Sequence, residues 1–314
     1  MDLKQLRTFI CVAEAGSLSR ASDRLRIAQP ALSRHIKLLE QEIGVELFAR
    51  HVRGMDLTEP GRELLARVSG LVRQIEQSVH DIQSMRAEVK GHVALGLMPT
   101  VSGVLAVRLV ERAARELPGV TLRLVEGYSG HLIEWLQRGD IDLSFLYGPS
   151  GDFHLHTKEL LYENIGLISP PGSLPDIGES IRFKEVEALP LALPSRPHGI
   201  RVVVDAAAAK AGVSLNVAFD GDSFRVLTSL VANGLYHAFV PLSAVTEKLN
   251  AGIVEARTIA RPQVRRQLIL GMPSDRSNTR ATESIIAILM DEIASMIRSG
   301  EWAAQPGSDL RALV

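Results

Sequence analysis

Apolar residues recur every three or four positions through most of the first 45 residues, a spacing that predicts amphipathic helices. The first apolar stripe runs from Leu3 to Ala13, and Gly16 marks its end. Ser17 is a suitable N-cap for a second helix, and the small Ala21 on the apolar face of that helix allows close packing. The pattern therefore predicts two short helices that pack against each other.

A third stripe has four apolar residues, spaced i, i+4, i+7 and i+11, from Leu32 to Ile43. Pro30 suits the first turn of this helix, and Gly44 suits its end. The residues near the start of the helix and off the stripe have the chemistry that reads base edges in a DNA major groove. They are Gln29, Pro30, Ser33, Arg34 and Lys37. An ordinary amphipathic surface helix is the alternative for this segment taken alone.

Residues 45–58 form two short apolar segments around Gly54, which predicts a two-stranded wing. Arg50 and Arg53 fall on this wing, where we expect them to contact DNA phosphates. Helix, helix, turn, helix and wing together predict a winged helix-turn-helix domain over residues 1–58.

Thr58 and Pro60 can begin a long helix whose apolar residues continue at three- and four-residue spacing as far as Val89. A spacing near 3.5 residues is typical of helices that pair with another helix. Residues 59–90 are therefore predicted to form a linker helix through which two chains dimerise. Packing of this helix on its own domain is the alternative.

From residue 91 onward, short apolar strands alternate with helical patterns, and the same order recurs from residue 189. This alternation predicts two α/β lobes with mostly parallel sheets, within an α+β multidomain protein. Lobe one is assigned to residues 91–163 and 268–300 and lobe two to residues 164–267, with crossing strands at 163–169 and 267–272. Residues 301–314 lack a long pattern and are assigned to a tail that Trp302 could anchor.

Two lobes joined by two crossings form a cleft at the carboxyl ends of strands, where small ligands bind. Hydroxyl groups and backbone N–H groups at helix starts, together with an arginine, favour an anionic organic ligand. The candidate residues that follow strands are Thr100, Ser102, Ser129, Arg196 and His198. Helix capping is an equally good role for the hydroxyl groups of Thr100 and Ser129.

Composition limits the classes of partner. The chain has 314 residues, enough for two or three units, and its net charge of −1 means that DNA binding requires a local basic patch. Residues 20–53 carry seven basic and four acidic residues, an excess that a dimer would double. The single cysteine, Cys11, and the absence of a signal peptide or a long apolar run predict a cytoplasmic protein without membrane contact.

Four short segments together resemble the LysR-type transcriptional regulators. They are Ala13-Glu-Ala-Gly-Ser-Leu18, Gln29-Pro-Ala-Leu-Ser-Arg34, Gly44-Val-Glu-Leu-Phe-Ala-Arg50 and Leu57-Thr-Glu-Pro-Gly61. The resemblance covers the first sixty residues almost without gaps. In the C-terminal part it is weaker and rests on Leu136-Gln-Arg-Gly-Asp-Ile-Asp-Leu143 and Pro194-Ser-Arg196.

The resemblance implies a regulator that binds double-stranded promoter DNA and responds to a small-molecule effector held between two lobes similar to periplasmic binding proteins. It also implies homodimers through the linker helix, tetramers built from two dimers, and contact with RNA polymerase if the protein is an activator. Many family members have a Gly-rich turn where this chain has Gly234-Leu-Tyr-His237. Tyr236 and His237 would either narrow the pocket or simply pack.

The motifs of nucleotide-binding loops, nucleophile elbows and zinc proteases are absent from the sequence. We therefore expect no catalytic residues, no metal site and no cofactor other than the effector. An architectural DNA-binding protein with a vestigial ligand cleft is the alternative function, and it would bind DNA with little sequence preference.

Overall fold

The computed structural model of the protein describes residues 1–51, 54–83, 89–148, 155–174, 178–275 and 277–314. The chain divides into two compact units, one made of residues 1–89 and 135–141 and the other of residues 90–134 and 142–314. None of the described helices combines the length and the apolar composition that a membrane crossing requires.

The N-terminal elements confirm the predicted winged helix-turn-helix. They are α1 (Leu3–Ala15), α2 (Leu18–Leu25), α3 (Gln29–Ile43), β1 (Phe48–His51), β2 (Gly54–Leu57) and α4 (Glu59–Gln83). The capping predictions also hold, since Ser17 accepts a hydrogen bond from the Arg20 backbone N–H at 3.3 Å. Gly16 and Gly44 end α1 and α3 in the left-handed conformation that glycine adopts most readily.

One apolar cluster holds the three helices and the wing together. Phe9 and Ala21 from the first two helices pack with Leu32 and Ile36 of α3, and all four side chains are fully buried. Phe48 of the wing joins this cluster, with its ring centroid 5.4 Å from that of Phe9. Burial of this one face of α3 leaves its other face toward solvent.

The linker helix α4 begins as predicted, because the Thr58 hydroxyl accepts a hydrogen bond from the Gly61 backbone N–H at 3.0 Å. Gly61 is required for the junction, since a Cβ atom there would lie 2.1 Å from the Leu47 carbonyl oxygen. The described helix ends at Gln83, and residues 84–88 lie outside the described ranges. Val89, placed on the helical stripe by its spacing, is not helical.

The second unit contains the remaining elements. Its strands are β3 (Gly91–Leu97), β4 (Val120–Glu126), β5 (Leu143–Gly148), β6 (Leu155–Ser169), β7 (Ser180–Ile181), β8 (Leu191–Leu193), β9 (Val217–Asp220), β10 (Ala238–Pro241), β11 (Glu255–Ile259), β12 (Arg265–Pro273) and β13 (Ala304–Pro306). Its helices are α5 (Pro99–Glu116), α6 (Ser129–Arg138, whose last turn falls in the first unit), α7 (Phe183–Val186), α8 (Gly199–Ala211), α9 (Phe224–Ala232), α10 (Thr246–Asn250) and α11 (Arg280–Ser299), with a 3₁₀ turn at Leu242–Val245.

Parallel pairing occurs within each predicted lobe, where β3 lies between β4 and β5 and β8 pairs with β9. The two crossing strands are β6 and β12, and they run antiparallel to each other. Since β6 leaves lobe one and β12 returns to it, their opposite directions follow from the two crossings. The prediction of mostly parallel sheets therefore applies to the lobes but not to the crossing strands.

Residues 301–314 do not form a tail, which corrects the sequence assignment. Strand β13 pairs antiparallel with β6, and Leu310 is fully buried. Trp302 is also buried, and its indole N–H donates a hydrogen bond to Glu163 Oε2 at 3.0 Å. The segment is integral to the second unit because its apolar residues and backbone groups both find partners there, and Trp302 is its anchor.

Candidate functional site

Helix α3 presents the predicted polar residues on the face opposite its buried stripe. Gln29, Pro30, Arg34 and Lys37 are exposed, and Ser33 is partly exposed. Within the described part of the chain, neither Arg34 nor Lys37 has an acidic partner in ion-pair range. Two cationic side chains that project from a helix without ion-pair partners are suited to bind an anionic surface such as DNA.

Three contacts fix the orientation of α3. The Thr8 hydroxyl of α1 lies 2.9 Å from His35 Nδ1, and Glu40 accepts hydrogen bonds from the backbone N–H groups of Leu47 and Phe48 at 2.9 and 3.3 Å. Glu40 therefore ties α3 to the start of the wing. This role could not be predicted from the sequence, because a glutamate on a helix gives no sign of a partner seven residues later.

Only part of the wing lies within the residues that the structure describes. Arg50 lies on β1, paired in register with Met55 on β2. Arg53 lies outside the described residues. The assignment of both arginines to phosphate contact stays a prediction.

The second candidate site is a small cavity in the second unit, with a free volume of about 20 Å³, enough for one or two water molecules. Most of its lining is apolar, and the residues that contribute this surface include Met98, Ile200, Phe224, Leu227, Phe239 and Val240. Polar groups come from five residues, namely Thr100, Tyr128, Tyr147, His198 and Asp222. A concave apolar surface with a few convergent polar groups is typical of small-molecule sites.

Thr100 and His198 are the two predicted ligand residues that line this cavity. The N-cap of α5 is Met98, so the alternative role of Thr100 as a helix cap is not realised. The Thr100 hydroxyl instead accepts a hydrogen bond from Arg266 Nη1 at 3.0 Å. His198 caps α8, since its Nδ1 accepts from the Ile200 backbone N–H at 3.2 Å.

The imidazole of His198 is neutral at physiological pH. Burial lowers the pKa of His198 from 6.5 to about 4, and nearby Asp222 opposes this effect only in part. Because Nδ1 accepts a hydrogen bond, the proton of the neutral ring lies on Nε2. The rings of Tyr128 and Tyr147 meet this imidazole edge-on, at centroid distances of 5.3 and 6.1 Å.

Substitution of His198 should change how stability depends on pH. The unfolded chain binds a proton at this histidine below pH 6.5, whereas the folded chain resists protonation until about pH 4. Stability is therefore lost as the pH falls through this interval, by about 2 kcal/mol after allowance for partial exposure. His198→Asn, which keeps a capping side chain, should lose less stability than the parent between pH 7 and 4.5. Urea denaturation at both pH values measures this, and identical losses in the two proteins would contradict the prediction.

Three predicted ligand residues do not line this cavity, and their assignment to effector binding stays a prediction. The side chain of Arg196 is 70% exposed and ion-paired with Asp205 at 2.7 Å. Ser102 lies two residues beyond Thr100 on α5, and two residues on a helix differ in direction by about 200°. Ser129 begins α6, with its hydroxyl 3.8 Å from the sulfur atom of Met98.

The residues beside the cavity that the sequence analysis missed are a buried ion pair and two tyrosines. Arg266 on β12 pairs with Glu163 directly opposite it on β6. Arg266 also donates to the hydroxyl of Tyr147 at 2.9 Å, while Tyr128 donates to the backbone carbonyl of Asp222. Alternation on the crossing strand was the available signal, because one of two adjacent arginines, Arg265 and Arg266, must face inward.

Tyr236 and His237 pack rather than line the cavity. His237 is buried, with Nδ1 2.8 Å from the Ser169 hydroxyl, and burial lowers its pKa. The ring of Tyr236 stacks on Phe219 with a centroid distance of 6.1 Å. Within the described ranges, no group of three or more His, Cys, Asp or Glu residues is arranged to hold a metal ion.

Two family models match this architecture. The model of the LysR substrate binding domain matches residues 86–294, and that of the bacterial regulatory helix-turn-helix protein, lysR family, matches residues 3–62. The chain belongs to the LysR family of transcriptional regulators. As a LysR-type regulator it has a helix-turn-helix domain that binds DNA and a C-terminal domain through which a small-molecule effector modulates activity.

Relatives of this regulator match it over nearly their full length. The HTH-type transcriptional regulator BbuR of Bordetella bronchiseptica is 28% identical, with 98% of this chain and 94% of BbuR covered. The nitrogen assimilation regulatory protein nac of Escherichia coli is 27% identical, with coverage of 96% and 99%.

Solved structures show the same fold. A full-length OxyR variant from Pseudomonas aeruginosa has a TM-score of 0.71 at 22% identity, with 93% of this chain and 94% of that chain covered. CbnR in complex with its target DNA has a TM-score of 0.65 at 20% identity, with coverage of 94% and 99%.

Proposed function

We propose that this LysR-type regulator recognises its operator through the start of α3 and contacts the flanking phosphates through the wing. Base contacts are assigned to Gln29, Pro30, Ser33, Arg34 and Lys37, and phosphate contacts to Arg50 and Arg53. The observation that carries the proposal is that Arg34 and Lys37 are exposed and have no ion pair among the described residues, on a helix that buries Leu32, Ile36 and Leu39.

For the effector we propose a small organic acid with a compact apolar body. The apolar lining of the cavity supports the body, and the hydroxyls of Thr100 and Tyr147 support an acceptor group such as a carboxylate. The amino end of α5 adds a favourable dipole for a negative charge next to Thr100. Arg196 gives this cavity less support for an acidic effector, because its side chain is 70% exposed, is ion-paired with Asp205 and lies outside the lining.

A comparison of two DNA fragments at fixed salt tests the DNA-binding and effector proposals together. Purified protein should bind DNA flanking its own gene more tightly than unrelated DNA of the same length. One member of a panel of small organic acids should change the footprint or the bending of the specific complex. Equal affinity for both fragments, unaffected by any acid, would favour an architectural DNA-binding protein instead.

We also propose that the regulator is a homodimer through α4. Leu71, Ile75 and Val79 form a seam at spacings of four residues, and they are 48%, 49% and 50% exposed. Half-exposed apolar residues along one side of a 25-residue helix are typical of a helix that pairs with a second copy.

Replacement of this seam should separate the dimer. The triple substitution Leu71→Gln, Ile75→Gln and Val79→Gln keeps helix propensity but removes the apolar surface. We expect the sedimenting mass to fall to half that of the parent, since each chain of 34.2 kDa loses its α4 partner. The matched control is Glu63→Gln with Arg67→Gln, an exposed pair on the same helix, and it should keep the mass of the parent. A triple variant that keeps the parent mass would place the dimer interface elsewhere.

Membership in the family supports three further parts of the proposal. They are assembly of two dimers into a tetramer, contact with RNA polymerase if the regulator activates transcription, and location in the cytoplasm, where its DNA target lies. We also propose that the regulator has no catalytic activity, since its relatives are transcriptional regulators.

A further inference from the structure

Arg266 is a charged residue in the interior of the second unit, next to the effector cavity but not in its lining. Its side chain and that of Glu163 are each only 1% exposed, and the two form an ion pair across adjacent strands. A buried charge is costly unless it is paired and hydrogen-bonded. Among the described residues, Nη2 of Arg266 has its ion pair with Glu163 but no hydrogen bond. The contacts of both partners therefore determine what this pair does.

Glu163 is held in place by donors from three separate segments. Arg266 donates to Oε1, whereas Trp302 Nε1 and the Ser243 hydroxyl donate to Oε2 at 3.0 and 2.6 Å. Both carboxylate oxygens are engaged, so Glu163 is a fixed anion. It holds the Nε edge of the Arg266 guanidinium, which leaves Nη1 for other acceptors.

The acceptors at Nη1 are two hydroxyl groups that line the cavity. Arg266 Nη1 lies 3.0 Å from Thr100 Oγ1 and 2.9 Å from the Tyr147 hydroxyl oxygen, and the guanidinium carbon lies 5.2 Å from the centre of the Tyr147 ring. Tyr147 has little freedom to move away, because a Cβ atom at Gly199 would already lie 2.4 Å from its ring. The hydroxyl groups of Thr100 and Tyr147 are thus fixed between the Arg266 guanidinium and the cavity.

A hydroxyl that accepts a hydrogen bond from a cation becomes a stronger donor through its own proton. Even if one of the two hydroxyls donates to the other, one proton remains for a ligand in the cavity. That ligand must supply an acceptor. The dipole of the ion pair also presents its positive end toward the cavity, since Arg266 is bonded to the lining and Glu163 contacts it from behind.

We propose that Arg266 is the residue that makes the cavity selective for a carboxylate, and that it acts through Thr100 and Tyr147 without touching the ligand. This inference rests on the proposed effector cavity and assigns its specificity. Arg266 is therefore a positioning residue, because it orients and polarises the two hydroxyl groups. Glu163, itself held by Ser243 and Trp302, keeps the guanidinium in position.

The test compares a carboxylate with its neutral amide in the same cavity. Acetate and acetamide are a matched pair compact enough for a cavity of this size, and calorimetry on the full-length protein gives both dissociation constants. The parent should bind acetate at least tenfold more tightly. The double variant Arg266→Met with Glu163→Gln removes the cation and its counter-charge together, so no unpaired anion remains buried. In this variant the ratio of the two dissociation constants should fall to about twofold. Arg266→Lys should recover part of the preference because it restores a charge.

The ratio separates selectivity from a merely structural role, because a loosened cavity would weaken both probes equally. Exposed Arg225→Met is the matched control and should leave the ratio unchanged. Equal binding of the two probes by the parent, or an undiminished ratio in the double variant, would overturn the role of Arg266 while leaving the cavity as the effector site. Failure of the parent to bind either probe would overturn the cavity proposal as well.

Discussion

Glu163→Leu is expected to lower the free energy of unfolding by about 3–5 kcal/mol, because it leaves the Arg266 guanidinium buried without its counter-charge. Leucine is close to glutamate in size, so cavity formation contributes little to this loss. The hydrogen bonds from Trp302 and Ser243 to the carboxylate are lost as well. Urea denaturation followed by circular dichroism measures the effect.

Two further variants identify the origin of the stability loss in Glu163→Leu. Removal of both charges, in Glu163→Leu with Arg266→Leu, should recover a large part of the lost stability, since no uncompensated charge remains. Glu63→Leu breaks an exposed ion pair with Arg67 and should cost less than about 1 kcal/mol. If Glu163→Leu cost no more than Glu63→Leu, the Arg266 pair would have to be in contact with water.

Arg34→Ala is expected to weaken binding to the specific DNA site by about 10- to 100-fold, the loss that follows when one bidentate base contact of 1–3 kcal/mol is removed. Affinity for unrelated DNA should fall only slightly, because non-specific binding depends on the total number of phosphate contacts. Truncation leaves no buried partner unpaired, since Arg34 is exposed and has no ion pair among the described residues.

Competition titrations with labelled specific and unrelated fragments, at one salt concentration, give both affinities. Arg115→Ala is the matched control, because Arg115 is an equally exposed arginine on α5 of the second unit. Equal losses on the two fragments would assign Arg34 to a phosphate rather than to a base.

The DNA-binding domain could be predicted from the sequence because its signals are local. The apolar stripe of α3, the left-handed glycine at its end and the hydroxyl cap of α2 each depend on residues within a few positions. The two crossings were also predictable, since residues 165–168 and 268–272 within these strands are short apolar runs. Such features can be recognised without knowledge of the tertiary structure.

The cation beside the cavity could not be predicted in the same way. Arg196 follows a strand, where a ligand residue is expected, yet it forms an ion pair with Asp205, the seventh residue of α8. Arg266 lies within a strand, and its counter-charge is 103 residues away along the chain. Pairing between charges so distant in sequence is decided by the register of β6 against β12, which no local pattern reveals.

The C-terminal segment was misassigned for a similar reason. Strand β13 has only three residues and pairs with β6, more than 140 residues earlier. A single short strand without periodic neighbours gives no recognisable pattern. Its stability comes from Trp302 and Leu310, whose burial depends on residues far away in the chain.

The placement of β13 has a practical consequence for producing the effector domain on its own. The family match ends at residue 294, before Trp302 and before the strand that covers β6 at Leu161–Glu163. A fragment cut there would expose a strand edge, which invites pairing with other chains and precipitation. It would also deprive Glu163 of its indole donor. Fragments intended for crystallisation or ligand screening should therefore extend from Lys90 through Leu310.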